Sequence, residues 1–394
     1  MHSLICREAT PADAEDVLKV RNAIFPPLTV EQWLADPTMT CSLAYLNGEP
    51  VGAIPLSVRE FQVAPGVCVQ AAFENAVGTR EDMRGKGIGT AVISAAKTFL
   101  AGRCDELMVY RGGERTDGYR FYVKSGHRDL LYLRPMTLAE AQRCEADVSI
   151  ISLAEIVPLQ TEMLACFEAT YGAFGGFPRR HASYWQQQLR SQIYEVLPQE
   201  TFLIRHPANG PLAAYALAGR RTREDQRDHL SLMEVAGTGA PAVEQALRGL
   251  LDLAAREGVS LRTLTSAEDP HLPILRRLGF VEHLRSTMIM GQPLAPADLF
   301  AKTCAAAEAL DALKIHFWAP FADGTLHEGR HARREITLEG KDDVIYRLLN
   351  RRLDVQAAVR TEWLTIRNAT PDAVARLHAA FPYTPWAYHH LDYI

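Results

Sequence analysis

The sequence has no long apolar run, and this lack limits where the chain can reside. Nowhere in its 394 residues are there the roughly 18 consecutive apolar residues that a membrane-spanning helix needs. The N-terminal sequence MHSLICREATPADAEDV also lacks the basic segment and apolar core of a secretory signal. We therefore expect a cytoplasmic protein without a membrane partner.

Basic charge is not in excess either. The formal net charge is -5, whereas a nucleic-acid-binding domain carries a basic patch or stripe. The composition therefore argues against a nucleic-acid partner. A mildly acidic balance is compatible with a cationic amine as substrate.

Cysteines are few, and none is paired in a metal-type spacing. The seven cysteines stand singly, at positions 6, 41, 68, 104, 144, 166 and 304, with no CxxC among them. An odd number of scattered thiols predicts reduced and mostly buried side chains rather than disulfides.

The length and composition indicate a globular protein of more than one domain. Hydrophobic residues make up 47% and charged residues 23% of the chain, as in ordinary globular proteins. Because 394 residues exceed one hydrophobic core, we expect two or three domains.

The stretch from Ala71 to Leu100 combines a strand, a glycine-rich turn and a helix. Ala71 to Thr79 is short and apolar, which predicts a buried strand. Three glycines follow at every second position. An apolar pattern at helical spacing then continues, with residues Ile88, Val92, Ala95, Ala96 and Leu100.

Such a turn is suited to binding a phosphate group. Glycines let the backbone come close to a ligand, and the first N–H groups of a helix have no partner inside it. Arg84 and Lys86 add positive charge at the same place. We expect a pyrophosphate here, although a solvated turn between a core strand and a helix would show similar residues.

The glycine spacing separates the known phosphate-binding motifs. A Rossmann fingerprint requires G-x-G-x-x-G and a P-loop requires G-x-x-x-x-G-K-[ST], and neither is present. The pattern [QR]-x-x-G-x-[GA] is present as Arg84, Gly87 and Gly89. It resembles motif A of the GNAT superfamily of N-acyltransferases, whose loop holds the pyrophosphate of coenzyme A.

A second GNAT-like motif lies downstream. Tyr119 to His127 reads YRFYVKSGH and resembles the GNAT segment in which an aromatic residue on a short helix stands four residues before a glycine. That register selects Tyr122. Tyr119, one turn earlier, remains the competing candidate.

The same plan of elements repeats from about residue 149 to residue 292 without the functional residues. No arginine precedes the turn at Gly237, Pro241 stands where the loop should donate N–H groups, and Leu275 takes the place of Tyr122. We interpret this part as a degenerate second GNAT domain that does not bind coenzyme A.

The last hundred residues differ from both repeats. Their pattern predicts an alanine-rich helix at 299–310, strands at 314–318 and 334–338, and helices at 342–352 and 372–381. The chain ends in the aromatic, apolar segment PYTPWAYHHLDYI, whereas chain ends are usually poorly ordered. We expect this tail to be docked on the protein.

The order of two GNAT-like units, a last segment of about a hundred residues and an aromatic tail resembles that of the Eis (enhanced intracellular survival) family of acetyltransferases. The resemblance implies an α/β fold with mixed sheets: a catalytic GNAT domain (1–146), a degenerate GNAT domain (147–293) and a sterol-carrier-protein-like α+β domain (294–394) whose tail enters the active site. It also implies a homo-oligomer, a hexamer, and acetyl-CoA as cosubstrate without a metal. The coenzyme-binding residues would be Val77, Gly78, Thr79, Arg84, Gly85, Lys86, Gly87, Ile88, Gly89 and Thr90.

The reaction implied is transfer of an acetyl group to a primary amine by direct attack on the thioester. The thioester carbonyl must be polarised, the amine must be neutral and the leaving thiolate needs a proton. The backbone N–H groups at 77–79 would polarise the carbonyl. Tyr122 would donate the proton, since the pKa of a tyrosine, about 10, lies near that of a thiol. A packing role for Tyr122 is the alternative.

The base and the acceptor stay open at this point. Glu74 on the central strand, the terminal carboxylate of Ile394 and a positioned water are the candidates, with Asp392 and His390 near the chain end. Phe73 and Asn75 flank Glu74 and would line the acceptor cleft. The acceptor is aminoglycoside-like, a polyamine or lysine-like. The alternative function is a non-catalytic acyl-CoA-binding or scaffold protein.

One stretch of the sequence matches the letters of a metal-binding motif. His327-Glu328-Gly329-Arg330-His331 reads HExxH, the zinc-protease motif, which requires both histidines on one helical face. A glycine at its centre and the strand predicted after it, at 334–338, argue against a helix. We therefore expect no zinc site.

Overall fold

The computed structural model describes residues 4–24, 27–75, 77–112, 117–190, 196–223, 226–283, 287–319, 322–340 and 343–392. Ile394, one of the candidate bases, lies outside these residues.

The first part of the chain alternates strands and helices. Its strands are β1 (Leu4–Glu8), β2 (Met39–Leu46), β3 (Glu49–Ala64), β4 (Val67–Glu74), β5 (Gly78–Thr79), β6 (Glu106–Gly112) and β7 (Arg128–Leu138). Its helices are α1 (Ala14–Arg21), α2 (Val30–Leu34), α3 (Ile88–Leu100) and α4 (Asp117–Lys124).

The second part repeats this plan. Its strands are β8 (Ser149–Ser152), β9 (Phe177–Pro178), β10 (Val196–His206), β11 (Ala214–Arg223), β12 (Gln226–Gly237), β13 (Ser260–Ser266), β14 (Val281–Glu282) and β15 (Thr287–Pro293). Its helices are α5 (Leu153–Ile156), α6 (Gln160–Tyr171), α7 (Tyr184–Gln188), α8 (Ala240–Glu257) and α9 (Leu272–Arg277).

The last part forms its own sheet and helices. The helices are α10 (Pro296–Thr303), α11 (Val344–Leu349), α12 (Val355–Arg360) and α13 (Pro371–Ala380), and the strands are β16 (Leu313–Ala319), β17 (Ala322–Glu328), β18 (Arg334–Gly340) and β19 (Leu364–Arg367). The strand order is β17-β16-β18-β19, with β16 and β18 parallel.

One continuous sheet joins the first two parts. Its order is β1-β2-β3-β4-β6-β15-β7-β13-β12-β11-β10-β8. Strand β15 lies between β6 and β7, with Ile289 opposite both Tyr110 and Leu131. Strand β7 also pairs with β13, with Leu264 opposite Pro135. The two repeats therefore exchange strands, and the expected units 1–146 and 147–293 share one sheet.

The largest hydrophobic cluster connects the first and last parts of the molecule. Phe73 and Tyr110 of the first sheet, Tyr346 of α11, and Trp386 and Tyr388 of the tail all belong to it. The last part is thus packed directly against the sheet that carries the expected site. None of the helices in the described part of the chain is long and apolar enough to cross a membrane.

Candidate active site

The central strand is interrupted at the expected thioester site. Glu74 lies opposite Leu56 of β3, but Gly78 lies opposite Ala53, so the register shifts by one residue between them. A shift of this kind is typical of a β-bulge, which bends a strand and disturbs its pairing. The sequence predicts one strand over 71–79, and the structure divides it into β4 and β5.

The interruption opens a gap between β4 and β6. The two strands are parallel, and their pairing runs from Ala71 opposite Glu106 to Glu74 opposite Val109. Beyond that point β5 pairs with β3, and β6 pairs with β15. The two strands therefore separate just after Glu74, where the sequence predicts that N–H groups face the thioester.

The glycine-rich turn precedes α3 and is open to solvent. Gly85 has φ of 74° and Gly87 has φ of 79°, in the left-handed region that favours glycine. A Cβ on either glycine would meet no atom within 4 Å. Arg84 and Lys86 are exposed, so both cations can reach an anion at this turn.

The start of α3 has free backbone donors. Gly87 is the N-cap of the helix, and the first helical hydrogen bond runs from the amide of Ala91 to its carbonyl. No amide from Gly85 to Thr90 donates to a backbone carbonyl among the described residues. These N–H groups fit a pyrophosphate.

Tyr122 lies beside the opening of the strands. It is 8% exposed and packs in a small cluster with Val109 and Met290, with Val77 against it. Val109 is the last residue of β6 that pairs with β4. The structure thus brings Tyr122 and Val77 together at the gap.

Tyr119, the competing candidate, has a different partner. Its hydroxyl donates to Asp129 Oδ2 at 3.3 Å, and Tyr132 donates to the same oxygen at 2.6 Å. Burial raises the pKa of Asp129. The hydroxyl of Tyr119 is therefore directed to Asp129 on β7.

Glu74 and Phe73 contact different groups. The side chains of Glu74 and His127 are both 0% exposed, and Glu74 Oε1 lies 2.9 Å from His127 Nε2. The contact has the separation of an ion pair without the direction of a hydrogen bond. Phe73 stacks on Tyr110, with ring centroids 5.0 Å apart. Neighbouring residues of a strand point to opposite faces, so the structure does not bring the Glu74 carboxylate to the Phe73 side.

The Phe73 face is covered by the tail. Tyr388 packs edge-on against Tyr110, with centroids 5.5 Å apart, and Trp386 donates from Nε1 to the carbonyl of Val63 at 2.9 Å. The expected docked tail is thus observed for the residues described here. Asn75 is partly exposed, and its backbone N–H donates to the Pro55 carbonyl.

A buried ionic cluster fixes the end of the tail. Arg180 lies 2.8 Å from Asp392 and 2.6 Å from Glu234, and Tyr184 donates to Asp392 at 2.7 Å. Burial raises the pKa of Asp392, while Arg180 opposes this change. His390 is also buried, and burial lowers its pKa to about 4, so it stays neutral near pH 7.

A family model supports this assignment of the first part. Residues 8–127 match the model of the acetyltransferase (GNAT) family. Over this segment the chain is similar to that family. The match contains the interrupted strand, the glycine turn, α3 and α4, and it ends at His127, the partner of Glu74.

Solved structures share the fold over almost the whole chain. A GCN5-related N-acetyltransferase from Kribbella flavida is 15% identical with a TM-score of 0.67, covering 100% of this chain and 99% of that one. Eis1 from Mycobacterium abscessus is 16% identical with a TM-score of 0.61, covering 98% and 99%. A conserved protein from Enterococcus faecalis V583, described as a probable N-acyltransferase, is 12% identical with a TM-score of 0.73 over 100% of both chains.

The TM-scores establish a common fold, and identities this low leave the acceptor open. Curated protein sequences give no match to the chain. The GNAT fold is therefore the common property.

The second repeat has a shorter connection at the position of the GNAT pyrophosphate loop. Only Thr238 and Gly239 separate β12 from α8, whereas eight residues, 80–87, separate β5 from α3. Pro241 stands in the first turn of α8 and has no N–H to donate. The amide of Thr238 donates to the Ala213 carbonyl at 2.8 Å. These features favour the interpretation of a degenerate second repeat.

The residues of the HExxH sequence, 327–331, do not form a helix. His327 lies on β17, and the amide of His331 donates to the Asp311 carbonyl in the turn that follows. Among the described residues no cluster of three or more His, Cys, Asp or Glu side chains could hold a metal ion.

Several residues around the candidate site carry no signal in the sequence. His127 stands in the quoted motif stretch, directly after Gly126, but no spacing rule marks it as the partner of Glu74. Gln292 and Arg180 come from distant segments. Gln292 is brought in by the exchanged strand β15, and Arg180 follows β9, which pairs with β3.

Proposed function

We propose that this chain is an acetyl-CoA-dependent N-acetyltransferase that transfers an acetyl group to a primary amine by direct attack on the thioester. The observation that carries the proposal is the combination of an opened strand pair, a solvent-facing glycine turn and Tyr122 beside the gap. Each of the three serves one requirement of acyl transfer.

The turn would hold the pyrophosphate of coenzyme A. The amides from Gly85 to Thr90 provide donors, and the N-terminus of α3 adds its dipole. Arg84 and Lys86 are exposed close by. The left-handed φ of Gly85 and Gly87 lets the backbone turn its amides outward without a side chain in the way.

The gap would hold the pantetheine arm and the thioester. The backbone N–H groups of Val77, Gly78 and Thr79 would polarise the carbonyl as negative charge develops. Tyr122 would give a proton to the departing thiolate. We prefer Tyr122 to Tyr119 because the Tyr119 hydroxyl is directed to Asp129.

The acceptor amine would approach along the tail residues that cover the Phe73 side. Phe73 and Asn75 would line this cleft, and a neutral amine would be produced by the terminal carboxylate of Ile394 or by a positioned water. The burial of Glu74 against His127 favours a positioning role for this carboxylate over that of a base. A polyamine, an aminoglycoside-like amine or a lysine-like amine fits the proposal. The degenerate second repeat and a sterol-carrier-like last part would form the walls of the cleft.

Replacement of Tyr122 by phenylalanine tests the acid directly. Tyr122→Phe should lower kcat by about 10² to 10⁴, the usual contribution of a general acid. The Kd for coenzyme A should not change, because the turn is untouched. Thiol release from acetyl-CoA with a panel of polyamines and aminoglycosides gives kcat, and calorimetry gives the Kd.

Tyr119→Phe is the matched control, since it removes one hydroxyl from the same helix. It should leave kcat within about threefold of the wild type, as expected for a group outside the transition state. Equal losses in both variants would contradict the assignment. Tight coenzyme binding with no thiol release from any amine would instead indicate a binding module.

A further inference from the structure

A buried polar cluster lies beneath α4 and is not used by the proposed reaction. It contains Glu74 of β4, Lys97 of α3, His127 after α4 and Gln292 of β15. His127 lies between two of them: its Nε2 is 2.9 Å from Glu74 Oε1, and its Nδ1 accepts from Gln292 Nε2 at 3.1 Å. Three elements of the first repeat and one strand of the second thus meet at this cluster.

Gln292 determines how the His127 ring is oriented. A neutral imidazole carries its proton on one nitrogen only. Because Nδ1 of His127 accepts from the side-chain amide of Gln292, the proton of the neutral ring belongs on Nε2, the nitrogen that lies 2.9 Å from Glu74 Oε1. A buried carboxylate is costly without a partner, so this orientation stabilises Glu74 in its buried position.

Lys97 holds the chain that connects α4 to His127. Its Nζ donates to the Ser125 carbonyl at 2.7 Å. Burial lowers the pKa of Lys97, and the nearby Glu74 opposes this change. The ammonium therefore supplies positive charge near Glu74 while it fixes the backbone directly after α4.

The cluster contacts Tyr122 through both backbone and ring. The amides of Ser125 and His127 donate to the Tyr122 carbonyl, each at 3.0 Å. The His127 ring packs edge-on against the Tyr122 ring, with centroids 5.2 Å apart. A rotation of His127 would therefore displace Tyr122 at the gap between the strands.

Gly126 shows that Gln292 is closely fitted to this turn. Gly126 has φ of 103°, and a Cβ there would lie 2.7 Å from Gln292 Oε1. Any other residue at 126 would push the amide away from His127. The contact therefore depends on a glycine of the first repeat and on a glutamine of the second.

We propose that Gln292 is a positioning residue, which orients His127 against Glu74 and thereby holds Tyr122 at the thioester gap. The proposal rests on the proposed role of Tyr122 as the acid. It implies that the GNAT site of the first repeat is complete only when the second repeat supplies β15. A catalytic function is thus tied to the strand exchange.

Gln292→Met in the full-length chain tests the proposal, because methionine keeps the length of the side chain and removes its amide. A misplacement of about 1 Å can lower a rate by about 10²-fold. We expect kcat to fall by about 10- to 100-fold on this basis, with the KM for acetyl-CoA within about twofold. In the Tyr122→Phe background the same change should have no further effect on kcat, because Gln292 acts through Tyr122.

Gln160→Met is the matched control. Gln160 is also a buried glutamine and lies in the second repeat. Its Oε1 accepts from the backbone N–H of Gln186 at 3.0 Å. This variant should lose stability without a change in kcat. If Gln292→Met does not fold, His127→Asn takes its place in the same cycle, with the same expected result.

Several results would overturn the proposal. One is an equal effect of Gln292→Met and Gln160→Met on kcat, and another is a full additional loss from Gln292→Met in the Tyr122→Phe background. If the wild type acetylates no amine, the proposed function fails. Crystal structures of the wild type and of Gln292→Met then still test whether Gln292 positions Tyr122. A Tyr122 ring displaced from Val109 in Gln292→Met supports it, and an unmoved ring overturns it.

Discussion

The three glycines around the start of α3 serve two different purposes. Gly85 and Gly87 have positive φ and open space where a Cβ would point, so they are needed for the path of the backbone. Gly89 is helical, and a Cβ there would lie 3.0 Å from Phe121. It is needed for packing against α4, the helix that carries Tyr122. The sequence motif names Gly87 and Gly89 together, but only the structure separates their roles.

Gly87→Ala should weaken coenzyme binding. A left-handed alanine costs about 1–2 kcal/mol, and the turn can relieve this strain by rotating its amides away from the pyrophosphate. We expect the Kd for coenzyme A to rise by about tenfold, which corresponds to about 1.4 kcal/mol. Isothermal titration calorimetry measures it.

Gly102→Ala is the control for the backbone strain. Gly102 has φ of 77° and also meets nothing within 4 Å, but it follows the other end of α3. This variant should lose similar stability and keep the wild-type Kd. If both variants bind coenzyme A equally well, the turn does not hold the pyrophosphate.

At the scale of elements, the local pattern predicts some segments fully and others not at all. The helix expected at 372–381 agrees within one residue with α13, because its N-cap Thr370 and the proline at its start lie within the segment itself. No strand is expected at 287–293, where β15 forms. Its residues TMIMGQP lack the period of two that marks a half-buried strand, and both faces of β15 are covered only because it enters the first sheet.

The break between β4 and β5 has a similar origin. Ala71 to Thr79 is largely apolar, so the pattern predicts a continuous strand. The register shift opposite Pro55 of β3 is a relation between two strands that no local pattern contains. The residues of the site could therefore be predicted from the motif, but the gap and its partners His127 and Gln292 could not.

The strand exchange predicts that the first repeat cannot fold by itself. A fragment of residues 1–146 lacks β13 and β15, so the outer edge of β6 and both edges of β7 are unpaired. Exposed edges of this kind promote aggregation. We expect the fragment to show no cooperative thermal transition by circular dichroism, while the full chain shows one. A soluble fragment with a sharp transition would contradict the importance of the exchange.

At the scale of the whole molecule, Glu106 connects the first sheet to the last part. Its buried carboxylate accepts from the hydroxyl of Tyr346 and, at 3.3 Å, from Asn350, both on or next to α11. Burial raises the pKa of Glu106 to about 7, although these two hydrogen bonds oppose the change. The junction between the parts should therefore depend on pH.

Glu106→Gln should remove part of this dependence. The pKa of Glu106 is raised above that of an exposed glutamate, so the stability it contributes is complete below about pH 4. This stability is lost as the pH rises through 7. The wild type should lose on the order of 3 kcal/mol from Glu106 between pH 4 and pH 8, and Glu106→Gln should not. Urea unfolding across this range measures the difference.

Glu335→Gln is the control, because the Glu335 side chain is 60% exposed. Its free energy of unfolding should follow the wild type at every pH. Parallel curves for Glu106→Gln and the wild type would mean that Glu106 is not protonated in the folded protein near neutral pH.

The proposed function depends first on the amides from Gly85 to Thr90, which would hold the pyrophosphate of coenzyme A. A crystal structure of the full chain with coenzyme A tests it most directly. We predict the two phosphates within hydrogen-bond distance of these amides, and the sulfur in the gap beside Tyr122. Phosphates bound near Gly237 at the start of α8, or no coenzyme bound at all, would contradict the account.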